Sequence, residues 1–214
     1  DFRSAKEVVA YLEKLKSMCE YLGISDCKMQ EGSMRADVNL SVRKKGDTAF
    51  GVRTETKNVN SFRAIEHAIE FETARQIDIL ESGGTVKQET RHWNEDRRTG
   101  VAMRSKENAQ DYRYFPDPDL PPVVLSEEYI EQLTSSLPEL SEVRRARFTQ
   151  EYALSDYAAG RLTASKALAD LFENTVKLCN EPKETANWLI ECLPKALDDA
   201  GVAFEDADIS FETF

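Results

Sequence analysis

Apolar residues recur at helical spacing near the start of the chain. Ser4 and Glu7 form a capping-box pattern, and Gly23 ends the run that follows them. The apolar positions of this run are Val8, Leu12, Leu15, Cys19 and Leu22. This spacing predicts an amphipathic helix whose apolar side belongs to the core.

In residues 34–42, apolar and polar side chains alternate instead. The apolar side chains there are Met34, Ala36, Val38, Leu40 and Val42, and the polar ones between them are Arg35, Asp37, Asn39 and Ser41. The stretch KKGD predicts a turn around Gly46, and residues 50–57 are suited to return as a second strand. We therefore predict an antiparallel hairpin with one apolar and one polar side.

The helical period returns after residue 60. Asn60 or Ser61 can cap a long helix, which Gly83 and Gly84 end. Its predicted buried residues are Phe62, Ile65, Ala68, Ile69 and Leu80. Residues 85–93 and 99–105 follow as a second predicted strand pair around the turn NEDRRTG.

Prolines interrupt the pattern in residues 111–124, DYRYFPDPDLPPVV. Four prolines exclude a central strand and predict an ordered extended segment, with its aromatic residues packed against the sheet. From residue 126 the spacing is helical. The residues of one stripe are Tyr129, Ile130, Leu133 and Leu137, the predicted helix starts are Ser141, Thr163 and Asn180 with Pro182, and Pro194 is a predicted stop.

These elements together predict an α+β protein. We expect residues 1–122 to form a mostly antiparallel sheet with helices, followed by an all-helical domain at residues 123–214.

Composition narrows the class of protein. The chain has 214 residues, of which 41% are hydrophobic and 31% charged, as is usual for a globular protein. No apolar run approaches the ~20 residues of a membrane helix, and no signal or transit peptide is evident. The four cysteines lack CxxC spacing, so we expect reduced thiols in a cytoplasmic protein, without a membrane partner.

The net charge of -11 argues at first against a nucleic-acid partner. Residues 1–120 contain 20 Lys and Arg against 21 Asp and Glu, whereas residues 121–214 contain 8 against 18. The excess acid is therefore in the C-terminal part, and the N-terminal part can still present basic patches.

The polar side of the predicted hairpin has residue types suited to fixed contacts. Its members are Arg35, Asp37, Asn39 and Ser41 on the first strand and Arg53, Glu55 and Lys57 on the second. Lys57 and Asn58 also precede the N-terminus of the long helix, where free amides and the helix dipole favour an anion. Carboxylates for Mg²⁺ beside cations for phosphate suit phosphoryl transfer. A solvated outer face of an antiparallel sheet explains the same pattern, and spacing alone favours that interpretation.

Other catalytic classes have little support. The chain has two histidines, His67 and His92, and neither has a second His or Cys at metal-ligand spacing. With only two histidines, the sequence gives little support to a zinc hydrolase or to a Ser-His-Asp hydrolase. No P-loop and no dinucleotide-binding fingerprint occurs.

Longer motifs resemble a known family. The stretches MQEGSMRADVNLSVR, RTETKNVNSFRAIEHAIEFETARQ, QETRHW and DYRYFPDPDLPP are similar to the B subunit of the glutamyl/aspartyl-tRNA amidotransferase. The resemblance runs from residue 1 to about residue 195, and its motifs are long and occur in order.

The resemblance implies an enzyme that uses ATP and Mg²⁺ to phosphorylate the side-chain carboxylate of Glu or Asp mischarged on tRNA. Ammonia then displaces the phosphate to give Gln-tRNA(Gln) or Asn-tRNA(Asn). The implied partners are an amidase (A) subunit that makes the ammonia, a small C subunit and the mischarged tRNA. The implied fold of the first part is a partial cradle similar to that of glutamine synthetase and guanidino kinases. Members of the family are longer than this chain, so we expect the fragment alone to be inactive.

The same resemblance implies roles for individual residues. Glu55 falls where the family places a carboxylate ligand of the catalytic Mg²⁺. The residues implied to bind nucleotide are Asn58, Asn60 and Ser61. The residues implied to be catalytic are Arg35, Asp37, Asn39 and Lys57.

Two other functions are compatible with these residues. In one, the chain is a non-catalytic module that binds tRNA or a partner through its polar sheet. In the other, it belongs to a small-molecule phosphotransferase of similar fold.

Overall fold

The computed structural model describes residues 1–103, 115–207 and 209. The chain forms two compact units. The first comprises Asp1–Lys14 and Cys27–Tyr129, and the second comprises Leu15–Asp26 and Ile130–Phe214. These units are defined by packing and do not test the predicted domain boundary after residue 122, which stays a prediction.

Helix α1 spans Ala5–Leu22, as the apolar spacing predicts. The hydroxyl of Ser4 accepts a hydrogen bond from the backbone N–H of Glu7 at 3.2 Å, which caps the first turn. Gly23 follows the helix with a φ of 68°, a conformation that glycine adopts without steric cost.

A four-stranded sheet forms the centre of the first unit. Its strands are β1 (Val38–Leu40), β2 (Thr54–Lys57), β3 (Thr90–Asn94) and β4 (Thr99–Ala102). They lie in the order β1-β2-β3-β4. The outer pairs, β1 with β2 and β3 with β4, are antiparallel as predicted, whereas β2 and β3 are parallel. The alternation within each strand does not predict the parallel pair.

The hairpin arms are shorter than the alternation predicts. A side chain at Gly51 would place its Cβ 2.1 Å from the carbonyl oxygen of Val42, so the backbones approach too closely there for a regular ladder. Beyond β1, the side chain of Gln76 bonds the backbone instead, accepting from Val42 N–H at 3.1 Å. The turn itself is where the sequence predicts it, with Gly46 at a φ of 101°.

Helix α2 spans Phe62–Glu81 and connects the two parallel strands. Ser61 caps it by accepting from the backbone N–H of Ala64 at 3.0 Å, and Gly83 follows its end with a φ of 78°. Ile65 and Ala68 pack against Trp93 of β3 in the core of this unit. Leu80, predicted to be buried, is largely exposed because it lies in the last turn, beyond the sheet.

The proline-rich segment is described only from Phe115 onward, so Tyr112, Arg113 and Tyr114 lie outside the described residues. Phe115 is 65% exposed, so the prediction that its ring packs against the sheet is wrong. Helix α3 (Glu127–Ser136) follows, and its predicted apolar stripe has no buried residue.

The second unit contains helices and no strand among its described residues. Besides the parts of α1 and α3 that belong to it, its helices are α4 (Ser141–Glu151), α5 (Asp156–Leu162), α6 (Lys166–Cys179), α7 (Pro182–Asn187), a π-helical turn (Trp188–Cys192), α8 (Leu193–Ala200) and a 3₁₀ turn (Phe204–Asp206). The rings of Phe148 and Phe172, both fully buried, lie 4.9 Å apart at the centre of its core. The predicted α+β class is confirmed.

Two predicted helix boundaries in this unit are wrong. Helix α4 begins at Ser141 as predicted, but the Ser141 hydroxyl bonds that of Ser17 at 2.8 Å instead of capping the helix. Ser165, not Thr163, caps α6, because Thr163 ends the additional helix α5. Pro194 does not stop the last helix, since it lies in the first turn of α8, where a missing N–H costs little.

Candidate functional site

Strand β2 presents two kinds of side chain to opposite sides of the sheet. Thr54 and Thr56 are buried towards α2, whereas Glu55 and Lys57 are partly exposed on the other side. This follows from the two-residue period of a strand. We call the side that bears Glu55 and Lys57 the open face. The partial exposure of both side chains leaves them accessible to a ligand.

Lys57 brings two carboxylates of the open face together. Its Nζ lies 3.6 Å from Oδ2 of Asp37 and 3.4 Å from Oε1 of Glu55. The charge of Asp37 and the hydrogen bond to Glu55 raise the pKa of Lys57 above its ordinary value. The ammonium is therefore held in its charged form between two anions.

Glu55 has neighbours on both adjacent strands. Its second carboxylate oxygen accepts a hydrogen bond from the hydroxyl of Thr90 at 3.1 Å. The antiparallel register places Asn39 of β1 directly opposite Glu55. One predicted metal ligand thus lies at the centre of a row formed by three strands.

The parallel register extends this face to β3. His92 lies beside Lys57. The side-chain amide of Asn58 donates to Nε2 of His92 and to the carbonyl oxygen of Trp93, each at 3.1 Å. Asn58 has a φ of 66°, in the left-handed region that Asn tolerates better than most residues. Both contacts lie at the end of β2 that precedes α2.

Thr90 and His92 lie beside Glu55 and Lys57 but are absent from the residues predicted from the sequence. Their period of two with Arg91 and Trp93 is visible in TRHW, and the order strand–helix–strand favours a parallel crossover. Together these two signals would have placed Thr90 and His92 on the open face beside Glu55 and Lys57.

In the part of the chain that the structure describes, no hydrogen bond or ion pair joins three predicted residues to the group around Lys57. Arg35 is exposed and precedes the short strand β1. Asn60 is exposed ahead of α2, and the hydroxyl oxygen of Ser61 is engaged by the N–H of Ala64. The structure therefore brings together Asp37, Glu55 and Lys57, sets Asn39 opposite Glu55, and leaves the roles of all predicted residues as predictions.

The open face has the donor chemistry of a partial magnesium site. Among residues 1–103, 115–207 and 209, no three His, Cys, Asp or Glu side chains lie close enough to hold a metal ion by themselves. Mg²⁺ is commonly bound by one or two carboxylates together with water and substrate phosphates. Asp37 and Glu55 supply two carboxylates that solvent reaches, and both contact the ammonium of Lys57, whose place a metal ion would have to take.

A cavity of about 330 Å³ lies in the second unit. It is lined mainly by apolar residues, including Leu168, Leu193 and Phe204, and by none of the predicted site residues. It offers no arrangement of acids or bases for the predicted chemistry.

A model of the GatB/GatE catalytic domain matches residues 1–131, which include the whole sheet and every predicted site residue. This chain belongs to the GatB/GatE catalytic-domain family. The resemblance inferred from the motifs is therefore confirmed.

Curated relatives extend the similarity over the full chain. The chain is 54% identical over its 214 residues to the B subunit of the aspartyl/glutamyl-tRNA(Asn/Gln) amidotransferase of Lachnoclostridium phytofermentans, and it covers 45% of that protein. It is 57% identical over 190 residues, 89% of the chain, to the protein of the same name from Lachnospira eligens, of which it covers 39%. The corresponding protein from Hahella chejuensis is 54% identical over 212 residues, and the chain covers 44% of it. The chain thus spans less than half the length of these relatives.

No helix among the described residues combines the length and the apolar character that crossing a membrane requires.

Proposed function

We propose that this chain is part of an ATP-dependent transamidating enzyme subunit. The enzyme would act on Glu or Asp mischarged on tRNA and convert the side-chain carboxylate to the amide. The observation that carries the proposal is the group formed by Asp37, Glu55 and Lys57 on the open face, in a chain of the GatB/GatE catalytic-domain family.

The reaction has two balanced steps. In the first, a carboxylate oxygen of the aminoacyl side chain attacks the γ-phosphorus of ATP, and the bond to the β-phosphate oxygen breaks to release ADP. In the second, ammonia attacks the carbonyl carbon of the acyl phosphate, inorganic phosphate leaves, and the nitrogen loses a proton. Phosphoryl transfer of this kind depends mainly on positioning and on neutralising charge.

The residues of the open face suit those two tasks. Glu55, with Asp37 beside it, would hold Mg²⁺, which neutralises charge on the phosphates when it is bound. The ammonium of Lys57 lies between these carboxylates and would contact the phosphate oxygens of a nucleotide held beside them. The Asn58 amide hydrogens are directed to His92 and Trp93, which leaves its carbonyl oxygen for a ligand. The remaining predicted residues, which would form the surroundings of the nucleotide, are Arg35, Asn39, Asn60 and Ser61.

The proposal includes partners. The relatives are named as B subunits of an amidotransferase, and we propose that the chain works with an amidase (A) subunit, a small C subunit and mischarged tRNA. Because the chain covers 45% of its Lachnoclostridium relative, we also propose that it holds only part of the site and is inactive alone.

A chimaeric protein tests the proposal directly. Residues 1–214 would replace the aligned stretch of the Lachnoclostridium relative, which would then be assembled with its amidase and C subunits. We expect ADP release that requires Glu-tRNA(Gln), and Gln-tRNA(Gln) formation with ammonium chloride as nitrogen source. The isolated chain should do neither.

The variant Glu55→Gln identifies the role of the open face in this chimaera. It should abolish ADP release while tRNA affinity is retained, and Glu70→Gln, the same change at an exposed position of α2, should alter neither. Lost tRNA affinity with normal ADP release would instead indicate a binding module. ADP release with free glutamate and no tRNA would indicate a small-molecule phosphotransferase.

A further inference from the structure

A buried polar cluster lies on the opposite side of the sheet from the open face. Its central residue is Glu72 of α2, which is 1% exposed. One carboxylate oxygen of Glu72 accepts from the hydroxyl of Thr54 at 2.8 Å and from Gln76 at 2.9 Å. Arg75 donates to both oxygens, at 2.6 and 2.8 Å. The sequence pattern predicts Glu72, Arg75 and Gln76 within the long helix and Thr54 in a strand, and indicates no role for them.

The cluster contacts all four strands. Gln76 donates to the carbonyl oxygen of Leu40 in β1 at 3.3 Å and to Thr54 in β2 at 2.9 Å. Arg91 in β3 lies 3.2 Å from Glu72 and donates to the carbonyl oxygen of Gly100 in β4 at 2.5 Å. One turn of α2 thus fixes the strands relative to each other.

The charges within the cluster balance. Glu72 and Glu89 are paired with Arg75 and Arg91, two anions with two cations. Burial alone would raise the pKa of Glu72, but the hydrogen bonds from Arg75, Gln76 and Thr54 hold it below its ordinary value. Glu72 is therefore an anion at neutral pH, and its bonds are charge-assisted.

We propose that Glu72 is a positioning residue for the open face and that it acts through Thr54. Thr54 is the direct neighbour of Glu55 on a four-residue strand. The hydrogen bond that holds its hydroxyl therefore fixes the backbone of β2, and with it the positions of Glu55 and Lys57. The same cluster holds β1 and β3, the strands on either side of β2. The inference deepens the proposed function and depends on it for the identity of the ligand.

The test uses Thr54→Val, which keeps the shape of the side chain and removes its hydroxyl. Thr54→Ser keeps the hydroxyl, and Thr56→Val makes the same exchange at the other buried threonine of β2, outside the Glu72 contacts. Each ¹⁵N-labelled chain is checked for folding by circular dichroism. Two quantities are then measured: the backbone amide resonances of Asn39, Glu55 and Lys57, and the affinity for ATP in the presence of Mg²⁺.

We expect Thr54→Val to remain folded, to shift the three resonances and to bind Mg²⁺ and ATP about 10- to 100-fold more weakly. Thr54→Ser should restore both quantities, and Thr56→Val should leave the affinity unchanged. Glu72→Gln should reproduce Thr54→Val if it folds. A folded Thr54→Val with unchanged resonances, or a Thr56→Val with an equal loss, overturns the inference.

Failure of the proposed function gives a different result. In that case the unmodified chain binds no Mg²⁺ and ATP, yet the three resonances still shift in Thr54→Val and recover in Thr54→Ser. The resonances therefore decide the positioning role without any ligand.

Discussion

Lys57 and Asp37 face each other across the antiparallel pair β1–β2, with their charged atoms 3.6 Å apart. Both side chains are close to half exposed, so the pair contributes little to folding. An exposed ion pair of this kind is typically worth about 0–1 kcal/mol. A substitution at either residue can therefore test ligand binding with little effect on folding.

Asp37→Asn should separate function from stability. We expect the free energy of unfolding to change by less than about 1 kcal/mol, because water replaces the lost partner of Lys57. In the chimaeric protein, tRNA-dependent ADP release should fall by about 100-fold, since one of the two carboxylates proposed to hold the Mg²⁺ that neutralises the phosphates is lost. Urea unfolding and an ADP assay measure the two quantities. A parallel loss of both would assign Asp37 to the fold alone.

Asn58 combines an unusual backbone conformation with two side-chain hydrogen bonds, and two substitutions distinguish these contributions. Asn58→Gly relieves the left-handed backbone at a φ of 66° but loses the bonds to His92 and Trp93. Asn58→Ala loses the same bonds and retains the strain. We expect the alanine variant to be less stable than the glycine variant by about 1 kcal/mol, measured by urea unfolding. Equal stabilities would mean that the backbone conformation is not strained.

Strong local signals predict their elements correctly, whereas elements set by tertiary contacts are missed. The Ser61 cap and the alternation through Val38 depend on neighbouring residues, and both are confirmed. The short length of β1 depends on Gln76, which lies 34 residues from Val42 and takes its backbone partner. The burial of Glu72 likewise requires knowing that α2 crosses over the sheet between two parallel strands.

The same distinction applies to the candidate site. The period of two groups Asp37 with Asn39 and Glu55 with Lys57, and the hairpin register brings the two pairs together. Thr90 reaches Glu55 only because β3 is parallel to β2, a pairing that local periodicity does not specify. The motif assigns Ser61 to nucleotide binding, whereas its hydroxyl oxygen caps a helix.

The Glu72 cluster predicts a specific dependence of stability on acid. The pKa of Glu72 in the folded chain is below 4.5, its ordinary value. Its contribution to stability is therefore complete above pH 4.5 and is lost as the pH falls through the folded-state pKa. Glu72→Gln should be less stable than the unmodified chain at pH 7, and the difference should narrow below pH 4.5. In a Trp188→Phe background the remaining tryptophan is Trp93. Unfolding followed by its fluorescence then reports the stability of the first unit, which contains Glu72.

The control for that experiment is Glu70→Gln on the exposed side of α2. It makes the same chemical change outside the cluster, so its stability should follow that of the unmodified chain at every pH. A constant difference between Glu72→Gln and the unmodified chain from neutral pH to about pH 3 would contradict the assignment of Glu72 as the titrating group.

The same substitution should destabilise the chain at one of two neighbouring arginines in α4 and have little effect at the other. Arg144 is 6% exposed and contacts Asp170 at 2.6 Å and Glu173 at 2.8 Å, whereas Arg145 pairs with Asp156 at the surface. Arg144→Met should lower the free energy of unfolding by about 2 kcal/mol, because it removes a buried guanidinium and its charge-assisted hydrogen bonds to Glu173 and Asp170. Arg145→Met should have little effect, since water solvates Asp156. Urea unfolding followed by circular dichroism measures both, and high salt should reduce the Arg144 difference only slightly because buried pairs are poorly screened. Similar losses in the two variants would show that the Arg144 pairs are no more important to this unit than a surface contact.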